Sequence, residues 1–362
     1  MSRRSMIAAA LAGLLLQAGA AGAVERLDKE TVNGAEFSDR APQRKDGKGR
    51  PDPAIVKAQV LLDRAHFSPG VIDGYFGDNI AKALKGFEQA NGLAPDGMPD
   101  PESWAKLVAT SSDPVLVEYA ISPEDVKGPF VDKIPDKMED MAKLERLAYR
   151  SPRELLAEKF HMDEDLLAAL NPGKAFDKAG ETIVVAKVRE KRAAAEVAKV
   201  EVDKGEAVLR ALDKEGRLVA FYPASIGSEE KPAPDGEFKV KAVVKGPNYT
   251  YNPDYGFKGV KARKPFTIAP GPNNPVGTVW IDLSKESYGI HGTPEPEKVS
   301  KSFSHGCVRL TNWDAEELAD LVKKGTTVSF VGKGADAVAT GATARRSSSG
   351  QDLRPGPRGR KE

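Results

Sequence analysis

The chain has 362 residues, 40% of them hydrophobic, which is enough for two or three small domains rather than one large core. With 54 basic and 53 acidic side chains the formal net charge is +1, so no global field points to nucleic acid as a partner. No mid-chain window is apolar for long enough to read as a membrane span.

The N-terminus has the three parts of a cleavable export signal. Arg3 and Arg4 give a basic start, Met6 to Leu16 a short apolar run, and Ala21-Gly22-Ala23 a small-x-small cleavage site. The expected mature chain begins near Val24, and the segment 1–23 carries no Cys for a lipid anchor. Ser2-Arg3-Arg4 leaves Sec and twin-arginine export both open. Export makes cysteine usage informative, because a secreted chain with several cysteines would carry disulfides. This one has a single Cys, Cys307, which can form no internal bridge.

Residues 24–50 are polar and without periodicity, and read as a linker. A compact unit is expected over 51–110. Asp52-Pro53 pairs an N-cap with a proline at the first helical position, ahead of Ile55, Ala58 and Leu62 on one face. After the turn-rich stretch 68–77, a second helix carries Ile80, Ala83, Leu84 and Phe87 and stops near Asn91-Gly92. Asp100-Pro101 opens a third with Trp104 and Leu107. Residues 111–143 read as a second linker. In 144–188, Ser151-Pro152-Arg153-Glu154 reads as a capping box, Asp163 as the cap of a helix ending at Asn171-Pro172, and Glu181 to Val185 as a short strand. Arg189 to Lys199 is charged and Ala-rich, a helical or loose connection. The tail 333–362 has the composition of a disordered segment.

Between 198 and 332 the pattern turns to strands: Ala207 to Leu212, Arg217 to Ser225, Glu237 to Lys245, Val279 to Leu283 and Thr326 to Val331. In the third, Phe238, Val240, Ala242 and Val244 alternate with Lys239 and Lys241, which predicts one buried face. One helix interrupts the strands, with Asp314 and Glu317 as a capping-box-like pair. Mostly β with one helix fits a small sandwich or open barrel.

Two Gly-rich clusters carry the candidate chemistry: Tyr288-Gly289-Ile290-His291-Gly292-Thr293 and Ser304-His305-Gly306-Cys307-Val308-Arg309. They hold the lone Cys and two of the four His. A catalytic thiol needs a base, and a base needs a neighbour that fixes its tautomer. Amides around Gly306 and Cys307 can serve as an oxyanion hole. A zinc site lacks a fourth ligand and the usual short spacings, while an inert buried Cys is the plain alternative. A secreted cysteine protease shares the Cys–His pair, but its His usually follows the Cys far downstream.

The clusters resemble the catalytic domain of L,D-transpeptidases of the YkuD type. Asn248 to Pro253, Ala269 to Gly277 and Trp280-Ile281-Asp282-Leu283 add to the match, which covers most of 198–331. The segment Ile72 to Gly77, with Phe87 to Leu93, Asp96-Gly97, Asp100 and Trp104, resembles a three-helix peptidoglycan-binding domain. Residues 144–188 resemble a LysM glycan-binding module whose first strand is poorly matched. The expected fold is therefore multidomain: a β-sandwich or open barrel, a three-helix domain and a small α+β module.

The resemblance implies an enzyme that needs no cofactor or metal. His291 deprotonates Cys307, and the thiolate attacks a tetrapeptide stem of peptidoglycan. A thioester forms with release of D-Ala, and the amine of a second stem resolves it as a 3→3 cross-link. His305, Gly306, Ser304, Arg309 and Gly292 are supporting residues in this reading, and Tyr249, Tyr251, Tyr288 and Thr293 are candidates for substrate contact. Tyr255 falls in the same Gly/Pro/Asn-rich insertion as Tyr249 and Tyr251. The acceptor stays open between a stem amine, water (an L,D-carboxypeptidase or endopeptidase), a D-amino acid and an outer-membrane protein. A non-catalytic wall-binding protein is the alternative from another class. All these readings place the chain in the periplasm or cell envelope.

Overall fold

A computed structural model of the chain describes residues 27–37, 49–190, 193–228, 231–255, 260, 262–302 and 306–332. The expected export signal 1–23, the tail from 333, and Ser304 and His305 lie outside the described residues.

Helices open the chain. A short α1 (Lys29–Asn33) lies inside the segment read as a linker and buries Val32 completely. The Asn33 side chain fixes it, accepting from the amides of Val115 and Leu116 and donating to the Leu116 carbonyl. Next come α2 (Pro53–Arg64), α3 (Asp78–Ala90) and α4 (Pro101–Val108). Their starts follow the local chemistry. Asp52 and Asp100 each accept from two first-turn amides, with proline at the first helical position.

The second linker is also structured. It holds β1 (Leu116–Ala120), α5 (Pro123–Lys127) and α6 (Met138–Met141). After α7 (Pro152–Lys159) and α8 (Glu164–Leu170), β2 (Thr182–Ala186) returns antiparallel to β1, pairing Leu116 with Ala186 and Ala120 with Thr182. The unit expected over 144–188 thus pairs with a strand from the expected linker, set far ahead of its helices by the excursion 128–150. It shares one hydrophobic core with the three-helix unit, through Ile72, Phe87, Leu116, Met162, Leu166 and Val185.

The C-terminal half is a nine-stranded sheet and a separate two-stranded one, built from β3 (Lys199–Asp203), β4 (Val208–Leu212), β5 (Leu218–Pro223), β6 (Ser225–Ile226), β7 (Gly236–Lys245), β8 (Tyr249–Tyr251), β9 (Phe266–Ile268), β10 (Val279–Leu283), β11 (Gly289–His291), β12 (Val308–Arg309) and β13 (Thr327–Val331). Of these, β8 and β9 pair only with each other; the other nine run in the order β5-β4-β3-β13-β7-β10-β11-β12-β6. The end strands β5 and β6 are separated by Ala224 alone, so the sheet must curl until its two ends meet. The result is barrel-like. One helix, α9 (Asn312–Leu321), packs Ala315 and Leu318 into its core.

Two sequence expectations change here. In β7 only Val240 of the expected inner set is fully buried; Ala242 is exposed and Val244 is 43% exposed. The cause is a bulge: Asp282 of β10 pairs with Ala242, but Leu283 pairs with Val240. One extra residue inverts the facing beyond it, so Val243 turns to the core and Val244 outward. The cap of α9 is Thr311, whose hydroxyl accepts from the Asp314 amide. Asp314 and Glu317 instead turn inward, into a buried ion cluster.

That cluster joins the two halves. Arg189, in the expected loose connection, has a side chain only 6% exposed. It meets Asp63 of α2, Asp314 at 2.6 Å and Glu317 at 3.0 Å. His161 bonds to Asp63 at 2.9 Å and stacks on Trp313, while His66 bonds to Glu317 at 2.6 Å. Ser68 and Tyr222 donate to Asp314 and Glu317. The backbone of residues 66–68 also pairs with Phe221, covering the edge of β5.

Candidate active site

The parallel pair β11–β12 brings the two Gly-rich clusters together, with Ile290 opposite Val308 and His291 opposite Arg309. Cys307, immediately before β12, and His291, at the end of β11, line one cavity of about 1670 Å³. Cys307 is half-buried, and its sulfur lies 3.8 Å from the Ser287 carbonyl.

His291 is 6% exposed and stacks on Trp280, ring centroids 5.6 Å apart. Its Nδ1 lies 2.6 Å from the Gly292 carbonyl. A carbonyl only accepts, so Nδ1 carries the proton and Nε2 keeps its lone pair. Burial, and then the nearby Arg309 cation, push the imidazolium down to about 4. Burial pushes the Cys307 thiol up, opposed by the Gly289 amide and by Arg309. The resting pair is a neutral thiol and a neutral imidazole.

The backbone here depends on glycine. A Cβ on Gly292 would lie 2.1 Å from Asn312 Oδ1, and one on Gly277, at φ +63°, 2.0 Å from the same atom. Asn312 thus packs directly beneath the loop holding His291. Its Nδ2 donates to Pro272 O and to Glu158 Oε1 of α7. Burial, and then the Glu316 and Glu154 charges, raise the Glu158 carboxyl to about 8.

Arg309, Thr293, Tyr288 and Tyr249 line the same cavity. Arg309 Nε has no hydrogen-bond partner among the described residues. Thr293, 1% exposed, accepts from the Glu295 amide. Gly306, at φ +103°, lies against the Tyr288 ring. Tyr251 departs from the expectation of a substrate contact. It is 2% exposed and stacks on Phe266 inside the β8–β9 hairpin, away from the cavity lining. Sequence reasoning gave no role to Asn312 or Glu158, which do their work through tertiary contact.

A thiol, a buried imidazole and a guanidinium converging in a roomy cleft suit acyl transfer. Residues 198–330 match the family described as the L,D-transpeptidase catalytic domain, YkuD, and residues 51–107 the one described as "Putative peptidoglycan binding domain". The chain is 32% identical over 179 residues to the "Putative L,D-transpeptidase YkuD" of Bacillus licheniformis, covering 49% of this chain and 92% of that protein. It is 33% identical over 118 residues to the "Probable L,D-transpeptidase YbiS" of Escherichia coli K12, covering 31% of this chain and 38% of that protein. Among solved structures, the L,D-transpeptidase (residues 123–326) from Xylanimonas cellulosilytica aligns at 17% identity with a TM-score of 0.35, over 82% of this chain and 100% of that one.

The chain belongs to the L,D-transpeptidase family. It is a transpeptidase that acts on peptidoglycan outside the cytoplasm, with a peptidoglycan-binding domain ahead of its catalytic domain.

Proposed function

We propose that the enzyme forms 3→3 cross-links through a thioester on Cys307. His291 Nε2 accepts the thiol proton as sulfur attacks the carbonyl that follows the L-centre of diaminopimelate in a tetrapeptide stem. The C–S bond forms, the C–N bond to D-Ala breaks, and the imidazolium protonates the departing amine. A side-chain amine of a second stem then attacks the thioester and releases Cys307.

The observation that carries this reading is the tautomer of His291. The Gly292 carbonyl holds the proton on Nδ1, which leaves Nε2 as a base in the cavity shared with Cys307. Because both groups rest neutral, the ion pair must form with substrate in place, where Arg309 favours the thiolate. The Arg309 guanidinium is also suited to a stem carboxylate. Amides near Gly306 and Cys307 are the candidate oxyanion donors, with Ser304 and His305 as loop supports. Tyr249, Tyr288 and Thr293 are the candidate substrate contacts.

The export signal directs the enzyme to the periplasm, the three-helix unit holds it to the wall, and the module closed by β1 and β2 serves as a LysM-like support. Cys307→Ala tests the core of the proposal. The expected result is loss of tetrapeptide turnover with an unchanged melting temperature, and loss of the acyl adduct seen by intact mass with a carbapenem. Full turnover by that variant refutes it.

A further inference from the structure

One wall of the cleft comes from outside the catalytic half. The excursion between β1 and α7 is closed at its base by the Val131 amide donating to the Tyr149 carbonyl. It is clamped to the loop before β10. The Leu147 amide donates to Pro270 O, the Asn273 amide donates to Leu147 O, and Asn273 Nδ2 donates to Ala148 O at 2.9 Å. At Gly271, φ +149°, a Cβ would lie 2.1 Å from Leu147 O, so only glycine permits this approach. From this anchorage Ile134, Met138 and Met141 face the cavity that also exposes Cys307 and His291.

Size and side then indicate an occupant. A pocket for one drug-sized ligand encloses roughly 300–1000 Å³. At about 1670 Å³, this one has room for two peptides. The incoming amine must reach the carbonyl carbon held on sulfur and give its proton to His291 Nε2. It therefore arrives on the imidazole side, where D-Ala left. The loop that carries the excursion lies on that side, through Pro272 and Gly277 against Asn312, and Asn312 against Gly292. The Ser287 carbonyl and the Gly289 amide, both of the β10–β11 connection and strand, also neighbour the thiol.

We propose that residues 131–150 form the acceptor wall of the cleft, holding the amine-bearing stem peptide and keeping water from the thioester. The inference rests on the acyl-transfer reading above. The acceptor nitrogen bonds to the acyl carbon as the C–S bond breaks. The nitrogen's proton passes to His291 and on to the departing sulfur, so no co-reactant is needed. Half-buried methionines suit this wall, since their flexible thioethers adapt to a peptide without fixing its sequence.

Two variants of the full chain test it. One replaces residues 132–142 with an equal length of Gly and Ser, leaving the Leu147 clamp intact; the other is Met138→Ala with Met141→Ala. Each is given a tetrapeptide donor with an excess of a second stem as acceptor. Acylation of Cys307 is followed by intact mass, and dimer and hydrolysed tripeptide are separated by chromatography. The expected result is acylation within twofold of the parent, with the dimer-to-tripeptide ratio down at least tenfold in the Gly/Ser variant and less in the double variant. An unchanged ratio overturns the inference, and so does acylation falling in step with dimer, which would make this the donor wall. Absence of any adduct on Cys307 in the parent enzyme would instead bring down the acyl-transfer reading itself.

Discussion

Replacing Arg189 with Met removes the guanidinium that faces Asp63, Asp314 and Glu317 together. The carboxylates of Asp63 and Asp314 are fully buried and that of Glu317 is 5% exposed, so water cannot take the place of the guanidinium. Breaking a buried pair by deleting one partner costs about 3–5 kcal/mol. The three contacts share one charge and do not add, so that range serves for the whole cluster. A domain has only about 5–15 kcal/mol in total. The corresponding fall in melting temperature is roughly 6–20 °C, at about 2–4 °C per kcal/mol.

The pH dependence has a definite sign. Against burial, which alone would raise them, Arg189 holds the Asp63 and Glu317 carboxyls below their ordinary values. Their contribution is therefore complete above the unfolded carboxylate range and is lost as pH falls through the folded values. Asp314, fully buried and sharing the same cation, is shifted upward and works in the opposite sense. In the Met variant all three carboxyls rise, so each takes up a proton at higher pH than in the parent. The deficit relative to the parent should be largest at pH 7 and above and shrink toward pH 5. Calorimetry should also show one transition in the parent and two in the variant, because the cluster ties α2 to α9. A loss under about 1 kcal/mol at pH 7, or one that does not change with pH, would refute this account.

Acylation of Cys307 by a carbapenem should be nearly level from pH 5 to 8, because His291 stays neutral down to about 4. Stopped-flow rates that inflect near pH 6.5 would show an imidazole far less buried than this one. Gly292→Ala places a methyl 2.1 Å from Asn312 Oδ1. Overpacking of this kind costs about 1–3 kcal/mol, and denaturant melts should show it together with an acylation rate at least tenfold lower.

What was legible in the sequence was local. Asp52-Pro53, Asp100-Pro101 and Ser151-Pro152 mark helix starts because a cap acts within one turn, and all three helices begin there. Val279 to Leu283 reads as a strand because its alternation is intact, and β10 alternates in burial as expected. The rest depended on distant partners. Val117 and Tyr119 show no pattern until β2 arrives from the far end of the module. The β7 bulge is set by its register with β10, so no run of residues in β7 alone announces it. Arg189 sits in a charged, Ala-rich run that looks solvated, and only the approach of α2 and α9 buries it. The same holds for the site. The chain itself sets out Cys307 and His291 among glycines, whereas the support from Asn312 and Glu158 comes through the packing of α7 on α9.

The shared core of the three-helix unit and the module carries a mechanical consequence. Where a wall-binding domain hangs on a flexible tether, the tether sets an effective concentration, and the active site searches a cloud of positions. Here Ile72 pairs with Met162, Phe67 with Phe221, and Gly86 packs on the Phe221 ring, so no slack separates the grip from the cleft. A glycan strand held by the helices would meet the catalytic cleft at one distance and one rotation. The protein would then act as a gauge: of the stems winding around that strand, it would engage those presented at its own span and pass over their neighbours.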